Sequence, residues 1–169
     1  MAEQNSSINT ANSANAAAKV DALNEILSYE YAAFHQYTQH SLLVQGLERY
    51  DFKPYFEEQA EGSYKHALLI GGKIVAYGGL PVIEAAPIEQ STDLLQMLEQ
   101  DLAVERKLRD AYIAAIPLAE ADNDVPLRFL LEKQAYNEQE DVEELEKFLM
   151  KERIVLQEQD VPDESSQAI

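Results

Sequence analysis

Four ionisable groups interrupt four apolar stripes at matching depth, and no reading of this chain can ignore them. Residues three and four apart share one face of a helix. On that spacing the first seam reads Leu23, Leu27, Glu30, Phe34, Tyr37. The second reads Phe52, Phe56, Gln59, Ser63, His66, Ile70, Ile74. The third reads Leu94, Leu98, Leu102, Glu105, Leu108, Tyr112, and the fourth Leu127, Leu131, Gln134, Glu138, then Asp141 or Val142, Leu145, Leu149. A buried carboxylate or imidazole costs several kcal/mol unless it is paired or holds a cation. One such residue would read as a surface carboxylate, or as a core histidine with a backbone partner. Four, each near the middle of a helix, converge at one level of a core and read as a metal site.

Strand signals are almost absent, and the chain divides into four long helical segments. The first is expected from about Ala17 to Val44, stopped by Gly46, and the second from Tyr50 or Lys53 to Gly78–Gly79, with Pro81 barring continuation. The third should start at Ser91 or Thr92 and end near Asn123. The fourth should run from about Asp124 to Gln157. Residues 1–16 read as a flexible arm, 17–157 as the helical domain and 158–169 as a disordered tail.

Link lengths set the topology. The first and third links are short, which makes those helix pairs antiparallel neighbours. The middle link, Gly79 to Gln90, is about a dozen residues and spans roughly 40 Å when extended, the length of a ~28-residue helix. It can run the length of the bundle, which gives an all-α, up-down-down-up four-helix bundle with one long crossover.

The composition narrows the partners. A net charge of −18 over 169 residues argues against nucleic acid and anionic membrane surfaces, and suits attraction of cations. The absence of cysteine excludes disulfides, zinc–thiolate and iron–sulfur sites. No segment has the length and apolarity of a membrane span, and the first eighteen residues lack the apolar core of a secretory signal, so a cytoplasmic location is expected.

Carboxylates with an imidazole suit iron(II), manganese(II) or zinc. A carboxylate-bridged di-metal bundle takes a Glu from each of two helices and Glu-x-x-His from the other two. Glu30 and Glu105 fit the first requirement, while Ser63-Tyr64-Lys65-His66 and Glu138-Gln139-Glu140-Asp141 are each half-altered versions of the second. Tyr37 is placed to hydrogen-bond a ligand carboxylate. His35 and His40 lie off the seam and read as surface or interface histidines. Gly71 and Gly72, costly inside a helix, suggest a close helix or subunit approach or a local bulge.

The chain resembles the bacterioferritins of the ferritin-like superfamily from about Val20 to Leu149. The likeness lies in Leu23-Asn24-x-x-Leu27-x-x-Glu30 followed by Gln36-Tyr37 and His40, in Lys65-His66-Ala67 and Gly79-Leu80-Pro81, and in Asp101-Leu102-Ala103-x-Glu105. Thirty-three residues separate Glu30 from Ser63, and thirty-three separate Glu105 from Glu138. The resemblance implies a ferritin-like four-helix bundle that oxidises Fe(II) at an intrasubunit di-iron centre and stores ferric mineral. It implies Glu30 and His66 as terminal ligands of one iron, Glu105 as a terminal ligand of the other, Glu138 as a bridge, and Tyr37 as the tyrosine near the centre.

The departures are equally definite. Ser63 stands where the family has its second bridging Glu, and Asp141 where it has its second His. Tyr64 replaces the haem-ligating Met, so haem is not expected. Val155 to Ile169 shows no short fifth apolar helix like the one that helps build the family's shell, which favours a homodimer over a shell. The expected function is Fe(II) binding at an atypical site (one or two Fe per chain), slow or peroxide-dependent oxidation with O2 or hydrogen peroxide, and iron sequestration. The alternatives are a small dimeric di-metal or mono-metal redox enzyme on the same bundle, and a non-catalytic ferritin-like subunit.

Overall fold

The computed structural model describes the backbone of residues 2–150 and the side chains of 14–150. Its elements are four helices: α1 (Ala2–Leu43), α2 (Arg49–Ala76), α3 (Leu94–Glu120) and α4 (Val125–Leu149). The segment expected to be a flexible arm belongs to α1, because nothing between Ala2 and Leu43 is Gly or Pro and Ala14 and Ala16–Ala18 are strong helix formers. The expected tail at 158–169 and the last turns assigned to the fourth helix lie outside the described residues.

Each boundary has a local cause. Gly46 and Gly78 adopt positive φ, as left-handed residues after a helix do. At the end of α2 the Gly79 N–H reaches the Ile74 carbonyl and the Gly78 N–H that of Val75, which closes a Schellman motif. The α3 end repeats this with Asn123 at φ 58, the Asp124 N–H on Ala119 O and the Asn123 N–H on Glu120 O. The N-cap of α3 is Asp93, whose carboxylate accepts from the Gln96 N–H, rather than Ser91 or Thr92. Ser91 instead supports that cap, because its hydroxyl accepts from the Asp93 N–H.

Hydrogen bonds read out the topology. Lys19 meets Asp122, Glu30 meets Tyr112, Tyr37 meets Glu105 and His40 meets Asp101, so α1 and α3 run antiparallel. Phe52 against Phe148, Gln59 against Asp141 and His66 against Glu138 show the same for α2 and α4. The crossover lies along α1. Asn24 holds Leu80 O and Val82 N, Ser28 O accepts from Ala86 N, and Gln36 Oε1 accepts from Glu89 N. It thus ascends with α1 and delivers α3 parallel to α2, completing the up-down-down-up bundle.

The core is split in two. One apolar cluster holds Leu23, Leu27, Ile70, Ile74, Leu108, Leu127 and Leu131, and the other holds Phe56, Met97, Leu98, Leu102, Val142 and Leu145. On every helix the polar seam residues fall between the two. A Cβ at Gly71 or Gly72 would meet nothing, so no close approach among the described residues explains them. Close approach occurs instead at Gly79, where a Cβ would sit 2.5 Å from Val20.

One end of the bundle is tied by charge. Buried Lys19 bonds both oxygens of Asp122 at 2.8 Å and Asp124 at 2.9 Å. Asp124 also receives the Tyr77 hydroxyl and caps α4 through the Leu127 N–H. It therefore joins three helices and the turn before the fourth. Asp124→Ala is expected to cost about 2 kcal/mol, because it removes a cap and leaves Lys19 half-paired. Asp124→Asn keeps an acceptor for the cap and is expected to cost roughly half as much. Urea unfolding midpoints at unchanged slope measure the difference.

Candidate metal centre

Between the two apolar clusters the seams bring five of their side chains together. Glu30 (α1), His66 (α2) and Glu138 (α4) each place one donor atom within 4.8 Å of the others, and Glu105 (α3), Glu138 and Asp141 (α4) form a second such group. Glu138 belongs to both. Glu30, Glu105 and Glu138 are buried, while Asp141 is partly buried and His66 remains 24% exposed. His66 Nδ1 stands 3.5 Å from Glu30 Oε1 and 3.2 Å from Glu138 Oε1.

Two tyrosines orient the flanking carboxylates. Tyr112 (α3) donates to Glu30 Oε1 at 2.6 Å, and Tyr37 (α1) donates to Glu105 Oε1 at 2.7 Å. Each bond fixes one oxygen and leaves the other, Glu30 Oε2 or Glu105 Oε2, buried with no hydrogen-bond partner. Buried polar atoms are rarely left so. Two orphaned oxygens, on carboxylates grouped with a shared carboxylate and an imidazole, belong to a donor set that a divalent cation satisfies. Tyr37 therefore contacts a candidate ligand, as the sequence indicates, though the ligand is Glu105 and not a residue of its own helix.

Ser63 is buried but does not join either group, because its hydroxyl donates to the Gln59 carbonyl one turn back on α2. Gln59 in turn donates from Nε2 to Asp141 Oδ1 at 3.3 Å, so the amide steadies Asp141 from the side that lacks a second bridging carboxylate. The expectation for His40 is corrected. It is fully buried, with Nδ1 2.9 Å from Asp101 Oδ1, and Gln36 donates to the same carboxylate. Its face of α1 is covered by α3 and by Phe56, so an off-seam position is not an exposed one. His35 is exposed.

A pattern in the sequence could have located Tyr112. Glu30, Tyr37 and Gln59 recur seventy-five positions later as Glu105, Tyr112 and Gln134, and at the same offset Ser63 and His66 correspond to Glu138 and Asp141. The helix pairs α1–α2 and α3–α4 are related halves, so a Glu followed seven residues on by Tyr appears twice and the two tyrosines cross to each other's glutamate. The halves differ at Ser63 against Glu138 and at His66 against Asp141. Those two changes make the centre asymmetric, with its nitrogen donor at one end only.

The electrostatics follow from crowding. Burial raises Glu30 from 4.5 to about 7, with Glu138 adding repulsion and His66 opposing it. Burial and Glu138 raise Asp141 to about 6 and push Glu105 well above the usual range. Burial alone would lower His66, but Glu138 and Glu30 outweigh it and lift it to about 10.

The chain belongs to the ferritin-like family, since the family's domain model, a ferritin-like domain, matches residues 20–155. A bacterial ferritin from Neisseria meningitidis is 34% identical over 127 residues, covering 73% of this chain and 80% of that protein. A nutrient stress-induced DNA-binding protein from Nostoc is 28% identical over 146 residues, covering 80% of this chain and 79% of its own length. Among solved structures, a ferritin-like, diiron-carboxylate protein from Bacillus anthracis superposes with a TM-score of 0.78 at 29% identity, covering 80% of this chain and 98% of that one. The fold and the family are those of the ferritin-like di-iron carboxylate superfamily.

Raised carboxyl and imidazole values mean that the folded metal-free chain holds more protons than the unfolded chain, so its stability falls as pH rises. For Asp141 the protonated advantage is complete below about 3.8 and lost through about 6; for Glu30 the window is 4.5 to about 7. For His66 it is complete below 6.5 and lost toward about 10. The Tm of metal-free protein is therefore expected to fall from pH 5 to pH 8. Added divalent metal should displace these protons and raise Tm more at pH 8 than at pH 5. Scanning calorimetry at both values tests this, and a metal-free Tm that rises over that range would contradict it.

Proposed function

We propose that this chain binds Fe(II) as substrate in the bundle core, oxidises it with O2 or peroxide, and sequesters the product. The observation that carries the reading is the pair of three-donor groups sharing Glu138, with one free oxygen on Glu30 and one on Glu105. Membership of a family built on iron handling supports it.

Glu30, His66 and Glu138 form the better half, with two carboxylates and a neutral imidazole once its proton is displaced. Glu105, Asp141 and the shared Glu138 form an all-carboxylate half that holds a divalent ion more weakly and suits transit. Tyr37 and Tyr112 hold one oxygen each of Glu105 and Glu30 and leave the other oxygen of each carboxylate free. Reducing O2 or peroxide by two electrons consumes two Fe(II), one electron from each. Ser63 supplies no carboxylate to draw the two irons together, so the reaction is expected to be slow with O2 and faster with peroxide. The same feature favours, as a second reading, a site that works with one metal.

Homo-oligomerisation accompanies this reading. The outer face of α2 exposes Tyr64, Leu68 and Val75, at 50, 60 and 60%, around the open Gly71 and Gly72. A second copy packed on that face as a dimer would bury them and give the two glycines the close approach absent within one chain. DNA is not proposed as a partner despite the name of the Nostoc relative. The net charge is −18 and no Lys or Arg precedes Lys19. Leu68→Glu is expected to shift the sedimenting species to monomer.

Anaerobic Fe(II) titration followed by oxidant tests the centre. One tight and one weaker equivalent are expected, with His66→Ala removing the tight one, Asp141→Ala the weak one, and Glu138→Gln weakening both. Prompt oxidation of two Fe(II) per chain by O2 would overturn the slow reading, and no bound iron would overturn the iron reading.

A further inference from the structure

The all-carboxylate half of the centre has a neighbour that the donor groups do not include. Tyr55 lies on α2 one turn before Gln59, the residue whose amide holds Asp141. Its ring packs edge-on against Tyr37 with centroids 6.5 Å apart, and Tyr37 is the residue bonded to Glu105. Phe52 and Phe148 close the outer side of the ring at 6.3 and 5.2 Å. The Tyr55 hydroxyl oxygen is buried and has no hydrogen-bond partner. Tyr37 and Tyr112, by contrast, each spend their hydroxyl on a carboxylate.

The relation between the halves sharpens the point. The position seventy-five residues after Tyr55 is Leu130, which packs into the apolar cluster at the other end. The extra phenol therefore occurs at one end only, the end where Asp141 replaces an imidazole. Burying a phenol without a partner is unfavourable, and a cation at the Glu105–Asp141 end would remove the penalty.

We propose that Tyr55 is a further ligand of this centre, giving its phenol oxygen to the ion held by Glu105, Glu138 and Asp141. On that assignment this half offers oxygen donors only, three carboxylates and a phenolate, and selects a trivalent over a divalent ion. It would hold the oxidised product, Fe(III), while the imidazole half receives Fe(II). The phenol proton leaves to solvent when the ion binds. The assignment rests on the iron reading above and extends it to a site of different charge preference.

The test is optical. Metal-free protein is loaded with Fe(II) without oxygen, the bound iron is counted, and peroxide is then admitted. Wild type is expected to develop a visible phenolate-to-Fe(III) charge-transfer band. Tyr55→Phe, which keeps the ring packing, is expected to bind the same Fe(II) and lose the band. Tyr55→Leu, which copies the leucine at the corresponding position 130, is expected to bind the same Fe(II) and lose the band as well, and it decides the matter if Tyr55→Phe does not fold. Bound iron oxidised with no band, or a band that persists in Tyr55→Phe, would overturn the assignment while leaving the iron reading intact. No bound iron would overturn both.

Discussion

Glu30 and Glu105 are buried carboxylates with one oxygen tied to a tyrosine and the other left bare, and the bundle is organised around that demand. An apolar pair at these positions would join the two core clusters into one and would be well packed. The chain instead places Glu138 between them with a partly exposed His66 beside it. Without a cation the layer persists by keeping protons on acids that would ordinarily lose them and on an imidazole that would ordinarily be near neutral. That is a folded state held ready for a positive ion. The apolar clusters above and below keep the carboxylates from relaxing toward water.

The two halves of the chain explain both the order and the disorder of this layer. A pattern repeated at an offset of seventy-five residues gives crossed Glu–Tyr pairs that stiffen α1 against α3. Where the pattern breaks, chemistry changes. Ser63 returns its hydroxyl to its own backbone, Asp141 accepts from Gln59, and the only imidazole of the layer stands at one end. A symmetric centre would treat two irons alike. This one presents a mixed nitrogen–oxygen half and an oxygen half, and a difference in affinity between them follows from donor type alone.

Much of this was legible in the sequence because charge inside a helical seam contradicts the period around it. Glu30, His66, Glu105 and Glu138 stand out on that ground, Asp141 stands out only as the altered end of a Glu-x-x-His motif, and the length of the crossover separates this topology from a simple up-and-down bundle. Tyrosine gave no such contradiction. Tyr112 sits in its seam as any core aromatic would, and its hydroxyl found Glu30 only once α1 and α3 were set side by side. Tyr55 borders the seam of α2 one turn before Gln59, and its buried hydroxyl emerges only from the packing of Phe52 and Phe148 around it. His40 was misjudged for a related reason. Periodicity finds the face turned to the bundle axis, but α1 is also covered by the crossover and by α3, so a second of its faces is buried.

That second buried face has a consequence for the centre. Asp101 is one turn from Glu105 on α3, and His40 is one turn from Tyr37 on α1, so the His40–Asp101 pair sits directly beside the Tyr37–Glu105 bond. Gln36 bonds the same Asp101 and also accepts from the Glu89 N–H of the crossover. Apolar seams tolerate sliding, because one leucine replaces another at the next turn. A slip of one turn between α1 and α3 would instead strand Lys19, Glu30, Tyr37 and His40 at once, each from a partner of opposite hydrogen-bonding sense. Buried polar pairs are a poor source of net stability, but they discriminate strongly between registers. The chain uses them along the one helix interface where register decides whether two glutamates face the same point.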